Sequence, residues 1–248
     1  MTTLQGKFVW FELVTRDAKK AQAFYGEVLG WKVAPMSLGA DTYEMITAGD
    51  TPIGGYTALE GKGAPHWTSF VSVPDVDQAV ERARQAGGTL VDAAMDVPTV
   101  GRMAKIADPA GATLWLFRSA SDEGDDQSGP GRFCWNELVS PDPARAVGFY
   151  EQVVGYGHRS MEMGAFGTYH VLTRGERSHG GIMKGDGPSA WLPYVAVERA
   201  DATVERVTRF GGKLVAPPYD VPGVGRCATF TDPSGATLAI LQPASKAG

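Results

Sequence analysis

The sequence contains few of the residues that bind metal ions or cross-link a chain. Its 248 residues include two cysteines and four histidines. Both cysteines, Cys134 and Cys227, fall in the second half of the chain. A disulfide between them is one alternative, but two reduced thiols in a cytoplasmic protein fit this low cysteine content better.

The sequence also lacks the features of a nucleic-acid-binding or membrane protein. Its net charge is −5, and no cluster of lysine and arginine occurs. Because phosphate binding needs such a cluster, we expect no nucleic-acid partner. No apolar run approaches the roughly 18 residues of a membrane span, and residues 1–7 lack the apolar segment of a signal peptide. We therefore predict a cytoplasmic protein with no membrane partner.

Common catalytic motifs are missing as well. The sequence contains no P-loop, no dinucleotide-binding Gly-x-Gly-x-x-Gly and no Gly-x-Ser-x-Gly nucleophile elbow. With 43% hydrophobic and 21% charged residues, the composition is that of an ordinary globular protein. We expect no bound cofactor.

What the chain does contain is a repeat of about 125 residues. Of the 24 positions in residues 8–31, 11 are identical in residues 133–156. Of the 31 positions in residues 87–117, 17 are identical in residues 211–241. This period exceeds the roughly 20–50 residues of solenoid repeats and has the length of a small domain. The sequence therefore predicts two homologous domains in tandem.

The linker between the repeats is recognisable from its composition. Residues 119–131 contain no large apolar side chain and are rich in serine, glycine and acidic residues. The acidic run at 122–126 is interpreted as solvated linker. We predict a first domain over residues 1–118 and a second over 132–248.

Within each repeat, the pattern predicts a strand, a helix and three strands, and then the same order again. Asp17 is expected to cap the first helix, which Gly30 ends, and a second helix is predicted over residues 76–86. Strands are predicted near residues 8–14, 31–36, 41–48, 52–58, 67–73, 89–97, 101–107 and 112–118. The prediction is an α+β fold of four βαβββ modules, whose paired sheets form concave faces lined by strand residues.

These ordered motifs resemble those of a known superfamily. Each repeat contains Asp-x₆-Phe-Tyr-x₄-Gly-Trp/Tyr and, later, Gly-Arg-x-Ala-x₃-Asp-Pro-x-Gly-Ala-Thr-Leu. This order is similar to that of the vicinal oxygen chelate superfamily, which includes glyoxalase I, extradiol dioxygenases and bleomycin- and fosfomycin-resistance proteins. The tandem layout resembles a bacterial group related to the mycobacterial antigen CFP-30B, whose members are described as glyoxalases or hydroxylases. The resemblance implies two glyoxalase-like domains and leaves the reaction open, because this fold hosts enzymes and binding proteins alike.

Enzymes of the superfamily hold a divalent metal on strand residues, and the resemblance assigns three ligand positions to each domain. These positions are occupied by Trp10, Thr68 and Trp115 in the first domain and by Trp135, Leu192 and Ala239 in the second. Apolar side chains cannot bind a metal, and a threonine hydroxyl is a poor ligand on its own. We therefore predict no metal site. A site rebuilt near His66, Glu12 and Glu44 is the alternative.

Two glutamates are the candidate catalytic or anchoring groups. Glu12 and Glu137 share a strand face with Trp10 and Trp135, where partial desolvation would suit a carboxylate to proton transfer. The alternative is a structural role as a hydrogen-bond acceptor.

Aromatic and basic residues are the candidate ligand contacts. Stacking on a planar ligand is predicted for Trp10, Trp135, Tyr43, Tyr169, Trp67, Trp191 and Trp115. Arg102 and Arg226 are predicted to bind either these glutamates or an anionic ligand group. The alternative for the arginines is an internal salt bridge, to Asp96 or Asp108 in the first repeat and to Asp220 or Asp232 in the second.

Three hypotheses for function follow. The first is a metal-independent protein, monomeric or homodimeric, that binds a small, largely aromatic or apolar molecule as its partner. The second is an enzyme of the lyase or oxygenase/hydroxylase type, with a rebuilt metal site or with Glu12 and Glu137 as general bases. The third is a module that recruits another protein.

Overall fold

The protein is described by a computed structural model that covers residues 5–39, 41–121, 128–164 and 167–244. The acidic run of the predicted linker lies outside the described residues. None of the helices in these ranges is both long and apolar enough to cross a lipid bilayer.

The first half of the chain forms modules 1 and 2, each with one helix and four strands. Its elements are β1 (Phe8–Thr15), α1 (Ala18–Leu29), β2 (Lys32–Leu38), β3 (Asp41–Ala48), β4 (Thr51–Ala58), β5 (His66–Ser72), α2 (Val76–Gln85), β6 (Thr89–Val97), β7 (Gly101–Ala107) and β8 (Thr113–Ser119). Each predicted strand and helix of this half is confirmed, with bounds that move by one or two residues.

The second half repeats the same order as modules 3 and 4. Its elements are β9 (Phe133–Ser140), α3 (Pro143–Val154), β10 (Gly157–Glu162), β11 (Thr168–Arg174), β12 (Arg177–Lys184), β13 (Ala190–Ala196), α4 (Ala200–Arg209), β14 (Lys213–Val221), β15 (Gly225–Thr231) and β16 (Thr237–Pro243). The α+β fold of four βαβββ modules is therefore confirmed.

The helix ends follow the predicted chemistry. The Asp17 carboxylate accepts a hydrogen bond from the Lys20 amide at 3.0 Å and so caps α1. Gly30 ends α1 with a φ of 71°, a left-handed conformation that costs other residues energy. Asp142 and Gly155 play the same two roles at α3.

The strands of each half form one eight-stranded sheet. The strand order is β2-β3-β4-β1-β5-β8-β7-β6 in the first sheet and β10-β11-β12-β9-β13-β16-β15-β14 in the second. Within each module, the last strand pairs in parallel with the first, as β4 does with β1. The remaining neighbours within a module are antiparallel.

The chain also divides into two compact units, and these do not coincide with its halves. Unit 1 comprises Met1–Trp10, Thr68–Asp125 and Trp135–Leu192, so it combines modules 2 and 3. Unit 2 comprises Phe11–Trp67, Asp126–Cys134 and Pro193–Gly248 and combines modules 1 and 4. The domain limits 1–118 and 132–248 stay a prediction.

Each unit is built on one helix pair. In unit 1, α2 packs against α3, and their apolar faces join the buried sides of the strands in a single core. In unit 2, α1 packs against α4, and aromatic rings fill the space beside them. Phe11 stacks on Phe133 there, with ring centroids 3.9 Å apart.

In each unit, a buried chain of hydrogen bonds runs through residues of three modules. In unit 2, the Trp67 indole N–H donates to the Tyr25 hydroxyl at 3.1 Å, and that hydroxyl donates to the Asp232 carboxylate at 3.1 Å. In unit 1, the same chain runs from Trp191 through Tyr150 to Asp108, at 3.0 and 3.3 Å. The recurring Phe-Tyr and Asp-Pro-x-Gly motifs therefore hold modules from opposite halves of the chain together.

Candidate functional site

The alternation of β1 gives module 1 two different faces. On one face, Leu13 lies opposite Tyr56 of β4, which lies opposite Glu44 of β3. The Glu44 carboxylate bonds to two side chains of α1, so this is the helix-covered face. Glu12 lies opposite Gly55 on the other face. We call this second face of a module its open face.

On the open face of module 1, Glu12 accepts two hydrogen bonds. The Tyr43 hydroxyl donates to one carboxylate oxygen at 2.6 Å, and the Thr57 hydroxyl donates to the other at 2.9 Å. Hydrogen bonds to an ionised carboxylate are shorter and stronger than those between neutral groups. Glu12 and Tyr43 are both partly exposed, so a ligand can reach the pair.

Module 3 carries the equivalent pair in unit 1. The Tyr169 hydroxyl donates to the Glu137 carboxylate at 2.9 Å and accepts a hydrogen bond from the Trp135 indole N–H at 2.8 Å. Glu137 is 9% exposed, which makes it the more buried of the two glutamates. The structure thus brings together three of the predicted site residues here, Trp135, Tyr169 and Glu137.

A glycine makes each pair possible. The Tyr43 side chain crosses β4 at Gly55, where the Cβ of any other residue would collide with the phenol. Gly181 has the same relation to Tyr169 on β12. Because glycine has no side chain, the phenol can lie flat against the strand and reach the glutamate. Each pair is therefore held by backbone as well as by hydrogen bonds.

The two pairs can anchor a ligand but leave little freedom for the carboxylates to move. A carboxylate oxygen has two lone pairs, so an oxygen that accepts one protein hydrogen bond can accept another from a ligand. The tyrosine rings, and in module 3 the Trp135 indole beside Tyr169, offer apolar surface for a planar molecule. This combination is suited to binding an aromatic compound that carries a hydroxyl or amide donor.

The other predicted aromatic contacts fall into two groups. Trp10 and Trp115 are partly exposed, and Trp115 lies on the open face of module 2, stacked on Phe70. Trp67 and Trp191 are buried, at 5% and 8% exposure, and their indole N–H groups belong to the inter-module chains described above. A stacking role for Trp67 and Trp191 stays a prediction.

The two predicted arginines form salt bridges within their own modules. Arg102 on β7 pairs with Asp77 in the first turn of α2 and with Asp96 on the neighbouring strand β6. Arg226 on β15 pairs in the same way with Asp201 of α4 and Asp220 of β14. The salt bridges to the strand carboxylates were the alternative that the sequence offered. The arginine hydrogen bonds lower the pKa of both helix carboxylates. Binding of a ligand by Arg102 or Arg226 stays a prediction.

The residues present do not fit the divalent metal that the fold family implies. The family's ligand positions carry tryptophan, threonine, leucine and alanine. Among the residues that the structure describes, no group of three or more His, Cys, Asp or Glu lies close enough to hold a metal ion. The rebuilt site near His66, Glu12 and Glu44 does not form, because Glu44 bonds to α1 on the opposite face of the sheet from Glu12.

Three contributors to these sites were not among the site residues predicted from the sequence. Gly55 and Gly181 carry a signal, because each is the second residue of a Gly-Gly pair at the same place in both repeats. Thr57 carries none, since the second repeat has Met183 at the equivalent position. Its role depends on the strand register, which sets it beside Glu12.

Comparison with known proteins supports the fold and the family. A family profile for the N-terminal part of bleomycin resistance protein-like proteins matches residues 7–43, and the profile of the glyoxalase/bleomycin resistance protein/dioxygenase superfamily matches residues 132–240. The chain is 36% identical to the candidate glyoxylase CFP32 of Mycobacterium tuberculosis, across 97% of this chain and 96% of that protein.

Two further proteins show the range of the relatives. The anthracycline biosynthesis protein DauV of Streptomyces sp. strain C5 is 30% identical, across 96% of this chain and 93% of its own length. The Mn(II)-bound glyoxalase from Novosphingobium aromaticivorans has the same fold, with a TM-score of 0.64 and 17% identity over 96% of this chain and 82% of its own. From the repeated motifs, the four-module fold and these full-length matches, we conclude that the chain belongs to the glyoxalase/bleomycin resistance protein/dioxygenase superfamily, the vicinal oxygen chelate proteins.

Proposed function

We propose that the protein binds a small planar aromatic molecule on the open faces of modules 1 and 3, without the metal ion used by enzymes of its superfamily. The observation that carries this proposal is the glutamate–tyrosine pair, which the chain builds twice. In each pair the glutamate anchors a hydrogen-bond donor of the ligand, and the neighbouring aromatic rings contact its flat surface.

The chemistry of the anchor favours a ligand with a hydroxyl group. A carboxylate can only accept hydrogen bonds, so a ligand that binds Glu12 or Glu137 in this form must supply the donor. A phenolic hydroxyl on a fused-ring compound satisfies this requirement and still presents a large apolar face. The similarity to a protein named for anthracycline biosynthesis supports a fused-ring aromatic compound as the ligand class.

Calorimetric titration with 2-naphthol and with its methyl ether, 2-methoxynaphthalene, tests the proposal. The naphthol should bind with a dissociation constant below about 1 mM, and the ether about tenfold more weakly, because it cannot donate to the carboxylate. Equal affinity for the two compounds, or no binding of either, would contradict the proposal.

Variants separate the two sites. Glu12→Gln and Glu137→Gln should each remove one of two naphthol sites, because an amide disturbs the hydrogen bond from the tyrosine. Gly55→Ala should act like Glu12→Gln, since the new methyl group displaces Tyr43. Glu60→Gln is the matched control, because Glu60 is exposed and lies in the loop after β4. It should keep both sites.

A further inference from the structure

The open face of module 2, in unit 1, carries a row of three side chains across three neighbouring strands. Phe70 of β5 lies opposite Trp115 of β8, and Trp115 lies opposite Lys105 of β7. The next residues along, Leu116 and Ala104, face the buried core of unit 1. The row therefore lies on the side of the sheet away from that core.

The three side chains contact one another. The Phe70 and Trp115 rings are stacked, with centroids 5.4 Å apart and planes inclined by 7°. The Lys105 ammonium lies 5.7 Å from the centroid of the Trp115 ring. A cation over an indole face is attracted by the negative potential of the ring, so Trp115 holds the ammonium in place.

Lys105 forms no salt bridge with any residue that the structure describes. Asp92 of β6 is its cross-strand neighbour, but within the described residues no carboxylate lies within 4.0 Å of the Lys105 ammonium. Lys105 is partly buried, and so is Trp115. The positive charge of Lys105 is thus held beside an aromatic ring at the edge of an apolar surface.

A buried hydroxyl lies on the same strand face, two residues before Phe70. Thr68 is 2% exposed, and its hydroxyl has no hydrogen-bond partner among the described residues. Buried polar groups are almost always hydrogen-bonded, so this hydroxyl is available to bond a polar group that enters beside it. Thr68 and Lys105 are two strands apart, a lateral spacing of roughly 10 Å.

Module 4 provides the contrast. Its residues equivalent to Thr68, Lys105 and Trp115 are Leu192, Thr229 and Ala239, so it has neither the ammonium nor the indole. The arrangement is therefore specific to module 2 and is not a general feature of the fold.

We propose that this open face binds an aromatic acid, with Lys105 pairing with the anionic group, the Phe70–Trp115 stack contacting the ring, and Thr68 bonding a second polar group. This inference rests on the proposed function, because it names a class of aromatic ligand and a third place where one binds.

Titration with 6-hydroxy-2-naphthoate and with the matching neutral amide tests the inference. Both compounds carry a hydroxyl for the glutamate sites, and at the other end one has an anionic carboxylate and the other a neutral amide of similar shape. The wild-type protein should have a site that binds the acid at least tenfold more tightly than the amide, with quenching of tryptophan fluorescence. Lys105→Met should remove this preference and leave amide binding unchanged, whereas Lys105→Arg should keep it.

Further variants make the result specific. Asp92→Asn should strengthen acid binding severalfold by removing a nearby negative charge, and Thr68→Val should weaken binding of both compounds at this site. Lys184→Met is the matched control and should change neither affinity, since Lys184 is exposed on β12. Equal binding of acid and amide by the wild type, or a preference that survives Lys105→Met, would overturn the inference while the proposed function stands. Binding of neither compound would overturn both.

Discussion

Strands β1 and β9 occupy equivalent positions in the two repeats, and they agree on one face and differ on the other. On the open face, Glu12 and Glu137 each accept a hydrogen bond from a tyrosine hydroxyl. On the helix-covered face, Phe11 stacks on Phe133, whereas the residue equivalent to Phe11 is Asn136. Asn136 is fully buried, and within the described residues neither atom of its amide is hydrogen-bonded. The two repeats thus share their polar pair more closely than their core packing.

The inter-module chains show the same mixture of identity and difference. In both units the hydrogen bonds run from a tryptophan through a tyrosine to an aspartate. The two aspartates differ in the number of hydrogen bonds that they accept. In unit 2, Asp232 accepts hydrogen bonds from Tyr25, from three backbone amides and from the Ser234 hydroxyl. In unit 1, Asp108 accepts from Tyr150 and from two backbone amides. The Asp232 side chain therefore accepts more hydrogen bonds than the Asp108 side chain.

The largest expected effect comes from removing these carboxylates. Asp232→Ala should lower the free energy of unfolding by about 3–5 kcal/mol, because it leaves several buried donors without an acceptor. Asp108→Ala should cost about 2–3 kcal/mol, since fewer donors are left unpaired. Urea denaturation followed by circular dichroism measures both. A larger loss for Asp108→Ala would refute the ranking of the two units.

The role of these aspartates also shows which features could be predicted from the sequence and which could not. The alternation of β1, the Asp17 cap and the Gly30 end are local features, so the sequence predicted them correctly. The turn formed by Asp-Pro-x-Gly was equally local. That its buried aspartate accepts a hydrogen bond from a tyrosine 207 residues away in sequence depends on how the modules assemble, which no local pattern reveals.

The candidate site divides in the same way. Glu12, Glu137, Tyr43 and Tyr169 could be selected because strand alternation and the repeat put them on one kind of face. Their direct pairing required the register of three strands and a glycine against which each tyrosine ring lies. Lys105 was not selected at all, because it occurs in only one repeat and its contact with Trp115 is a cross-strand one.

A smaller effect, and of opposite sign, is expected at Asn136. Asn136→Leu should raise the free energy of unfolding by about 1–3 kcal/mol. Leucine has a similar volume, and it replaces a buried amide that has no hydrogen-bond partner among the described residues. For a chain of this length, each kcal/mol corresponds to roughly 2–4 °C in Tm. Differential scanning calorimetry measures the shift.

The reverse exchange in unit 2 is the control for this comparison. Phe11→Asn should destabilise the protein by about 3 kcal/mol or more, since it removes the stack on Phe133 and buries an amide. A loss of stability in Asn136→Leu would contradict the prediction and would show that Asn136 binds an ordered water that compensates for its burial.

The smallest effect is the pH dependence that the tyrosine of each inter-module chain gives to stability. Burial raises the pKa of Tyr25 and of Tyr150 well above the usual value, and the neighbouring carboxylates Asp232 and Asp108 raise them further. A tyrosine whose pKa is raised in the folded state contributes its full stability below about pH 10, the pKa in the unfolded chain, and loses it as pH rises. Each tyrosine should therefore make the free energy of unfolding fall by roughly 1.4 kcal/mol per pH unit above pH 10.

Urea titrations between pH 9 and pH 11 measure this slope. Tyr25→Phe and Tyr150→Phe should each reduce the slope by roughly 1.4 kcal/mol per pH unit. Both variants start from a lower stability, because a tryptophan N–H loses its acceptor. Because both hydroxyls are fully enclosed, equal flattening is expected in the two units, and an unchanged slope in either variant would show that its tyrosine ionises without opening the core.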